Sequence, residues 1–226
     1  MKKINWLDHI ANLLVVILGI SIAFYLEGYR QEQSNRLQER KYLQSLLEDI
    51  ETDIEKLDTL ISFNDEIKTA LINLSDMSVR RTSFEQLYSS DTAFIRSLSY
   101  IRYNPPFSSQ GSSYESLKAS GKMELIADFE VRNQIVELYE QYYQGTAEYD
   151  QAIKELVRDF VSPYYMNEIR FSGAWSVDHS FLYDGKFQNM IFTYRYLFLA
   201  KDEFYRTVRE ESIDLREELK KYLLQE

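Results

Sequence analysis

The 226-residue chain carries 36 acidic and 26 basic residues, a formal net charge of −10, and contains no cysteine. This balance excludes nucleic acid as an expected partner, because phosphate backbones attract proteins that have a basic face. Without cysteine the chain forms no disulfide or thiolate metal site, and it has no thiol nucleophile. Only 7 glycines and 3 prolines are present, so long helices are expected rather than many short strands.

The first predicted element is an apolar stretch at residues 10–26, which contains no charged side chain. A helix of this length spans about 25 Å, and its flanking residues extend it to about the thickness of a bilayer's hydrocarbon core. Trp6 before the stretch and Tyr29 after it occupy positions typical of aromatic residues at membrane interfaces. We therefore predict a membrane anchor at residues 1–29 and a helical domain at residues 30–226, with the lipid bilayer as a partner.

Two alternative interpretations of the apolar stretch remain open. The core helix of a soluble protein has a similar length and composition. A cleaved signal peptide is the closer alternative, because Ser21 and Ala23 offer small residues at a cleavage site. The apolar run continues to Leu26, however, and the sequence after it stays helical in character. An uncleaved anchor is therefore the prediction.

The orientation of the anchor is inferred from the basic residues on its two sides. Lys2 and Lys3 precede it. Four basic residues follow it: Arg30, Arg36, Arg40 and Lys41. This count places the helical domain in the cytoplasm, whereas a short basic segment ahead of an apolar run is typical of signal-anchors, which export the following domain. We adopt the second interpretation, with the helical domain exported.

The helical domain begins with a predicted helix that follows the anchor directly. Its apolar residues have helical spacing, at steps of three and four. They are Leu43, Leu47, Ile50, Ile54, Leu57 and Ile61. Acidic residues, Asp49 and Asp53 among them, occupy the remaining faces of this helix. A second helical stretch begins at the capping-box pair Ser83 and Gln86 and ends at Pro105.

A short helix is predicted after the serine-rich loop at residues 107–113. Ser112 and Glu115 form a second capping-box pattern, which indicates the start of this helix. Gly121 is placed to end the helix with a positive φ, a conformation that glycine adopts without strain. The apolar pair at residues 125–126 is expected to pack into the bundle.

Two long helices complete the chain. Asp128 is expected to cap the first of them, Gly145 predicts a kink within it, and Pro163 predicts its end. Its predicted core residues are Phe129, Ile135, Leu138, Tyr139, Tyr142, Tyr149, Ile153, Leu156 and Phe160. Asp184 is expected to cap the last helix. Its apolar residues with helical spacing are Ile191, Tyr194, Phe198, Tyr205, Val208, Leu215, Leu219 and Tyr222.

These elements predict an all-α protein. A transmembrane helix is expected to continue into a membrane-proximal bundle of about four long helices. The apolar stripe on the first helix of the domain is wider than the seam of a two-stranded coiled coil, which favours packing in a bundle.

Two segments of the chain resemble a known family. In the anchor, Trp6 and His9 precede the run VILGI at residues 16–20. In the middle of the chain, residues 113–126 read SYESLKASGKMELI. On these segments the chain resembles a family of uncharacterised bacterial membrane proteins, found mainly in Gram-negative bacteria of the Bacteroidetes type, with one N-terminal transmembrane helix and a helical domain of unknown function. The resemblance implies a place in the bacterial inner membrane, and it implies no reaction. With the orientation inferred from the basic residues, the helical domain lies in the periplasm.

The middle motif also suggests a candidate pocket or partner surface at one end of the bundle. Aromatic residues from the motif, the third helix and the irregular segment after it are expected to form it: Tyr114, Tyr139, Tyr142 and Trp175. The alternative is a structural role, in which the motif is a capped short helix with a glycine turn. With 18 tyrosines in the chain, aromatic residues cluster readily without a ligand.

The sequence contains no catalytic, cofactor or metal signature. Asp178 and His179 could pair with a serine or a metal, but a single Asp-His pair is weak evidence. A di-metal carboxylate bundle would need Glu-x-x-His on its helices, and the sequence has none. We therefore predict a non-enzymatic interaction or assembly protein that self-associates or binds a protein partner in the membrane. A periplasmic ligand-sensing bundle is the alternative, followed by a membrane-tethered hydrolase.

Overall fold

The computed structural model describes residues 6–172 and 176–225, and the regular elements within this part of the chain are all helices. Phe171 and Val177 form an isolated antiparallel bridge rather than a pair of strands. The prediction of an all-α protein, in which one long N-terminal apolar helix is joined to a helical bundle, is confirmed.

The described residues form eight α-helices. They are α1 (Trp6–Val79), α2 (Phe84–Leu87), α3 (Asp91–Tyr100), α4 (Ser112–Ala119), α5 (Phe129–Glu137), α6 (Gln144–Leu156), α7 (Ser162–Asn167) and α8 (Gly185–Gln225). Two π-helical turns, Leu138–Tyr143 and Val157–Val161, join α5, α6 and α7 into one continuous helix. Short 3₁₀ turns at Met123–Leu125 and His179–Tyr183 precede α5 and α8. The bundle therefore consists of three long helices, with the short α3 and α4 packed on α1.

Helices α1 and α8 form the central pair of the bundle. Helix α1 has 74 residues, which corresponds to about 110 Å of helix. Most buried residues of α8 follow a repeat of seven, at steps of four and three. The buried residues that follow this repeat are Phe187, Ile191, Tyr194, Phe198, Lys201, Tyr205, Val208, Ser212, Leu215 and Leu219, and Met190, Asp202 and Leu223 are buried beside it. Such a repeat keeps one seam of α8 facing its neighbour along the whole helix, and it includes one charged residue, Lys201.

Carboxylates of α1 hold the loop before α4. Asp53 is buried and accepts the backbone N–H of Gln110 at 2.8 and 2.9 Å, one distance for each oxygen. Burial raises the pKa of Asp53, and hydrogen bonds from Lys56 and from the Gln110 N–H partly offset that rise. The loop therefore covers the Asp53 side chain, whose carboxylate accepts a hydrogen bond from the loop backbone.

The start of α4 corrects the second capping-box prediction. Gly111 occupies the N-cap position, and Ser112 is already the first helical residue. Asp49 on α1 accepts the Ser113 N–H at 3.0 Å, so a neighbouring helix satisfies a donor that a local cap would otherwise satisfy. After α4, Gly121 has φ +67°, which confirms the predicted left-handed turn.

The continuous helix from α5 to α7 differs from its prediction in length and register. Asp128 caps it as predicted, but Pro163 does not end it, since the helix runs on to Asn167. Each π turn contains an extra residue and rotates the later side chains about the helix axis. Phe160 lies in the second π turn and is exposed, and Phe129 is exposed at the first helical residue. Both were predicted in the core.

Gly145 marks a close approach of two helices. A Cβ at this position would lie 2.7 Å from the ring of Phe204 on α8, which is closer than packed atoms come. The glycine therefore lets α6 approach α8. The irregular backbone near the predicted kink is the π turn, which ends at Tyr143.

Candidate functional site

Two of the four predicted site residues meet between α4 and the first π turn. The rings of Tyr114 and Tyr139 stack with centroids 4.4 Å apart and planes 3° from parallel. The Tyr114 hydroxyl donates to Oε1 of Glu140 at 2.7 Å, and Nζ of Lys118 lies 2.5 Å from the same oxygen. Burial raises the pKa of both tyrosines. A cavity of about 510 Å³ adjoins the pair.

The other two predicted residues do not join this pair in the described structure. Tyr142 lies in a separate groove beside α8, which Glu211 also lines. Trp175 lies outside the described residues. The structure therefore brings Tyr114 and Tyr139 together and places Tyr142 elsewhere, and ligand binding by this set stays a prediction.

A second site contains a buried ion pair between α6 and α8. Lys201 is 0% exposed, and its Nζ lies 2.8 Å from Oδ1 of Asp150. The same ammonium donates to Oδ1 of Asn104 at 2.5 Å. The other oxygen of Asp150 accepts the Tyr205 hydroxyl at 2.7 Å and the Phe107 N–H at 3.1 Å. Burial lowers the pKa of Lys201, and Asp150 partly offsets this.

This ion pair lies under a groove of about 760 Å³, which Asn104 and Asp150 help to line. Three basic side chains, all exposed, also line it: Arg102, Lys154 and Arg158. The guanidinium of Arg102 lies 4.6 Å from the centroid of the Tyr165 ring, a cation–π distance that favours one position for the charge. Four other grooves on the described part of the chain carry more acidic than basic residues.

Sequence reasoning missed this groove, although one signal for it was present. Lys201 stands in the seven-residue register of α8 between Phe198 and Tyr205, where a charged side chain must find a partner. The partner could not be named from local patterns. Asn104 and Asp150 are distant in sequence from Lys201 and meet it only because the bundle brings three segments together.

In the structure, Asp178 and His179 contact neighbouring side chains that give each of them a role in packing or capping. The His179 ring stacks on Phe84 with centroids 4.6 Å apart, and its Nε2 lies 3.3 Å from Oδ1 of Asp91. Asp178 accepts the N–H and the hydroxyl of Ser180 at 2.9 and 3.0 Å, which caps the 3₁₀ turn. Within the described ranges, no group of three histidine or carboxylate side chains is arranged to hold a metal ion.

The first part of α1 presents apolar side chains to its surroundings. Every side chain at residues 13–29 is exposed, with Leu18 at 61%. The most apolar 18-residue window has a mean hydropathy of 1.6, and none of it is buried. By length and composition this helix could cross a membrane, although a core helix or a signal sequence satisfies the same criteria.

These features define an all-α protein in which an exposed apolar helix continues into a bundle. The sequence profile of the Family of unknown function (DUF6090) matches residues 12–164. The match covers more than half of the chain, and the chain belongs to this family. No curated protein and no solved structure matches the chain. The matched residues include Asp150 but not Lys201, which lies on α8.

Proposed function

We propose that this protein is a single-pass membrane protein whose helical domain makes protein–protein contacts without catalysing a reaction. The observation that carries the proposal is the exposed apolar segment at residues 13–29, which belongs to the same helix as the bundle's central residues. An apolar surface of this length in water favours aggregation. Insertion into a bilayer removes it from water and leaves the bundle outside.

The energy of insertion favours this arrangement. Residues 13–26 contain ten leucine, isoleucine, valine or phenylalanine side chains. Each side chain makes the free energy of membrane insertion more favourable by about 0.3–0.6 kcal/mol at the centre of the helix. Together the ten side chains favour insertion by about 3–6 kcal/mol. Polar residues, including Asn12 and Ser21, reduce this sum. Alkaline carbonate extraction of membranes is expected to leave the protein in the pellet, with an intact mass that includes Met1 or Lys2. A soluble form that begins near Phe24 would contradict the anchor.

The proposed location is the inner membrane of a Gram-negative bacterium of the Bacteroidetes type, with the helical domain in the periplasm. The resemblance of the anchor and of residues 113–126 supports the location, and the basic pair Lys2 and Lys3 ahead of the apolar run supports export. Fusions after Glu226 test the orientation. Alkaline phosphatase is expected to be active there and a cytoplasmic fluorescent reporter dark, and the reverse pattern would place the domain in the cytoplasm.

The proposed contacts include self-association. Phe192 and Tyr196 lie one turn apart on α8 and are 73% and 71% exposed, and exposed aromatic residues at helical spacing suit a protein contact. Crosslinking in native membranes is expected to give a species of twice the monomer mass. The double variant Phe192→Ser, Tyr196→Ser is expected to reduce this species, whereas Tyr183→Ser, which removes another exposed tyrosine, is not. A monomer under all crosslinking conditions would contradict self-association.

Ligand sensing is the second candidate function, and the groove beside Asp150 favours it. A ligand that binds the folded domain is expected to raise its melting temperature. We propose no catalytic reaction. Hydrolysis of a p-nitrophenyl ester by the purified protein, lost in His179→Gln and in Asp178→Asn, would favour the hydrolase alternative instead.

A further inference from the structure

We propose that the groove over the Asp150–Lys201 ion pair binds a soluble organic anion that joins a phosphate, sulfonate or carboxylate group to an apolar body. This inference rests on ligand binding as the second candidate function. It does not depend on the anchor or on self-association. The argument comes from the charge of the groove, the composition of its walls and its position along α1.

The charge of the groove is opposite to that of the chain. Three basic residues and one acidic residue line it, and the acidic residue, Asp150, is already paired with the buried Lys201. The groove beside α5 and α8, by comparison, is lined by five acidic residues and one basic residue. In a chain with a net charge of −10, a local excess of positive charge in a concave surface attracts anions.

The walls and the size of the groove suit a small molecule rather than an inorganic ion. Its volume of about 760 Å³ falls within the range of small-molecule pockets, roughly 300–1,000 Å³. Four apolar residues also line the groove: Pro106, Phe107, Ala147 and Val157. A ligand with an apolar body would contact these groups while its anionic end meets the basic residues.

Two of the basic side chains contact neighbouring side chains. The ring of Tyr165 lies beside the Arg102 guanidinium, and Arg158 belongs to the second π-helical turn, where it pairs with Asp159 at 2.6 Å. π-helical turns occur frequently at functional sites because they change the direction of side chains. Lys154, one turn before Arg158, is exposed and lines the same groove.

The position of the groove favours a soluble anion over a lipid headgroup. Lys56 on α1 donates to the carbonyl of Ser108, next to Phe107 in the groove wall. The helix between Tyr29, at the end of the apolar segment, and Lys56 is about 40 Å long. This distance places the groove well beyond the headgroups of a bilayer that holds residues 13–29.

Isothermal titration calorimetry of the full chain in phosphatidylcholine nanodiscs tests the proposal. The probe is 1-naphthyl phosphate, compared with 1-naphthol, which lacks the anionic group, and with inorganic phosphate, which lacks the apolar body. We expect one site for 1-naphthyl phosphate, at least tenfold tighter than for either comparison compound and weaker at higher salt. Equal affinity for 1-naphthol, or no binding beyond that of empty nanodiscs, would overturn the proposal.

Three variants locate the bound probe. Lys154→Gln removes an exposed charge and is expected to weaken binding at least fivefold. Ala147→Trp fills the groove without changing its charge and is expected to abolish binding. Lys221→Gln, which removes a basic residue from the acidic groove, is expected to change affinity by less than twofold. Unchanged binding in Ala147→Trp with an unchanged melting temperature would overturn the assignment, whereas carbonate extraction reports on the anchor separately.

Discussion

The two halves of α1 contain similar apolar side chains in opposite surroundings. At residues 13–29 every side chain is exposed, and leucine, isoleucine and valine occur on all faces. Beyond Leu43 the apolar residues occupy one stripe, and Leu43, Ile50 and Leu57 are 0% exposed against the rest of the bundle. The helical backbone is the same in both halves, so backbone propensity does not distinguish them.

The difference shows what a periodic pattern adds to hydropathy. A stripe at steps of three and four defines which face of a helix needs a partner, and therefore predicts a bundle. A segment that is apolar on all faces defines no direction, and its surface is satisfied equally by lipid on every side. The bundle half also carries carboxylates that bind a particular loop, whereas Glu27 in the apolar half pairs with Arg30 on the same helix.

The largest expected effect is the loss of stability when a buried side chain is truncated in one half of α1, compared with an exposed side chain in the other half. Leu57→Ala removes a fully buried side chain and is expected to lower the free energy of unfolding by about 3 kcal/mol, because it leaves a cavity. Leu18→Ala, in the exposed half, is the matched control and is expected to change it by less than about 0.5 kcal/mol. Chemical denaturation of the helical domain in nanodiscs measures both. Similar losses for the two variants would mean that the apolar half packs against protein.

The next effect concerns the motif that packs on the bundle half. Gly121 has φ +67°, so Gly121→Val places a β-branched residue in a strained conformation and is expected to cost about 2 kcal/mol. Gly19→Val, in the apolar half, has no neighbouring atom within 4 Å of its new Cβ and serves as the control. Thermal unfolding measures both, and an unchanged melting temperature for Gly121→Val would contradict the proposed strain.

A third prediction tests the carboxylates of the bundle half. Asp53→Ala leaves the Gln110 N–H without its acceptor, and a hydrogen bond to a charged acceptor contributes roughly 1.5 kcal/mol to stability. Glu55→Ala removes an exposed carboxylate two residues away and is expected to have little effect. Hydrogen exchange of the Gln110 amide should also accelerate in Asp53→Ala. Equal stability of the two variants would show that the loop does not depend on Asp53.

The smallest effect per residue is the pH dependence of the tyrosines packed against the bundle half. Burial raises the pKa of Tyr139, Tyr143 and Tyr205 above the value near 10 of an unfolded chain. Their contribution to stability is therefore complete below pH 10 and is lost as the pH rises from 10 toward the folded pKa. Each such group lowers the free energy of unfolding by about 1.4 kcal/mol per pH unit in that range.

Denaturation at pH 9, 10 and 11 measures this loss, and absorbance at 295 nm follows tyrosinate formation. Tyr139→Phe is the control, because it removes one titrating group, and it is expected to reduce the slope by the share of one tyrosine. If the slope is the same in Tyr139→Phe and in the unmodified chain, the pKa of Tyr139 is not raised in the folded state, and the prediction is wrong.

Local patterns in the sequence were sufficient for the fold class and for some helix ends. The rarity of glycine and proline predicted long helices, and apolar spacing predicted the buried face of α8 from Ile191 to Leu219. Asp128 and Gly121 were predicted in their observed roles, because a cap or a left-handed turn depends on a few neighbouring residues. The apolar character of residues 10–26 was likewise a property of the sequence alone.

Tertiary structure decided the register of α5 to α7 and the composition of the groove. The two π turns rotate Phe160 out of the core, and a spacing rule based on a regular helix does not anticipate such turns. The capping of α4 by Asp49 and the pairing of Lys201 with Asp150 join residues far apart in the chain. Such contacts form because buried donors and charges need partners wherever the packed helices supply them, and a local pattern does not contain that information.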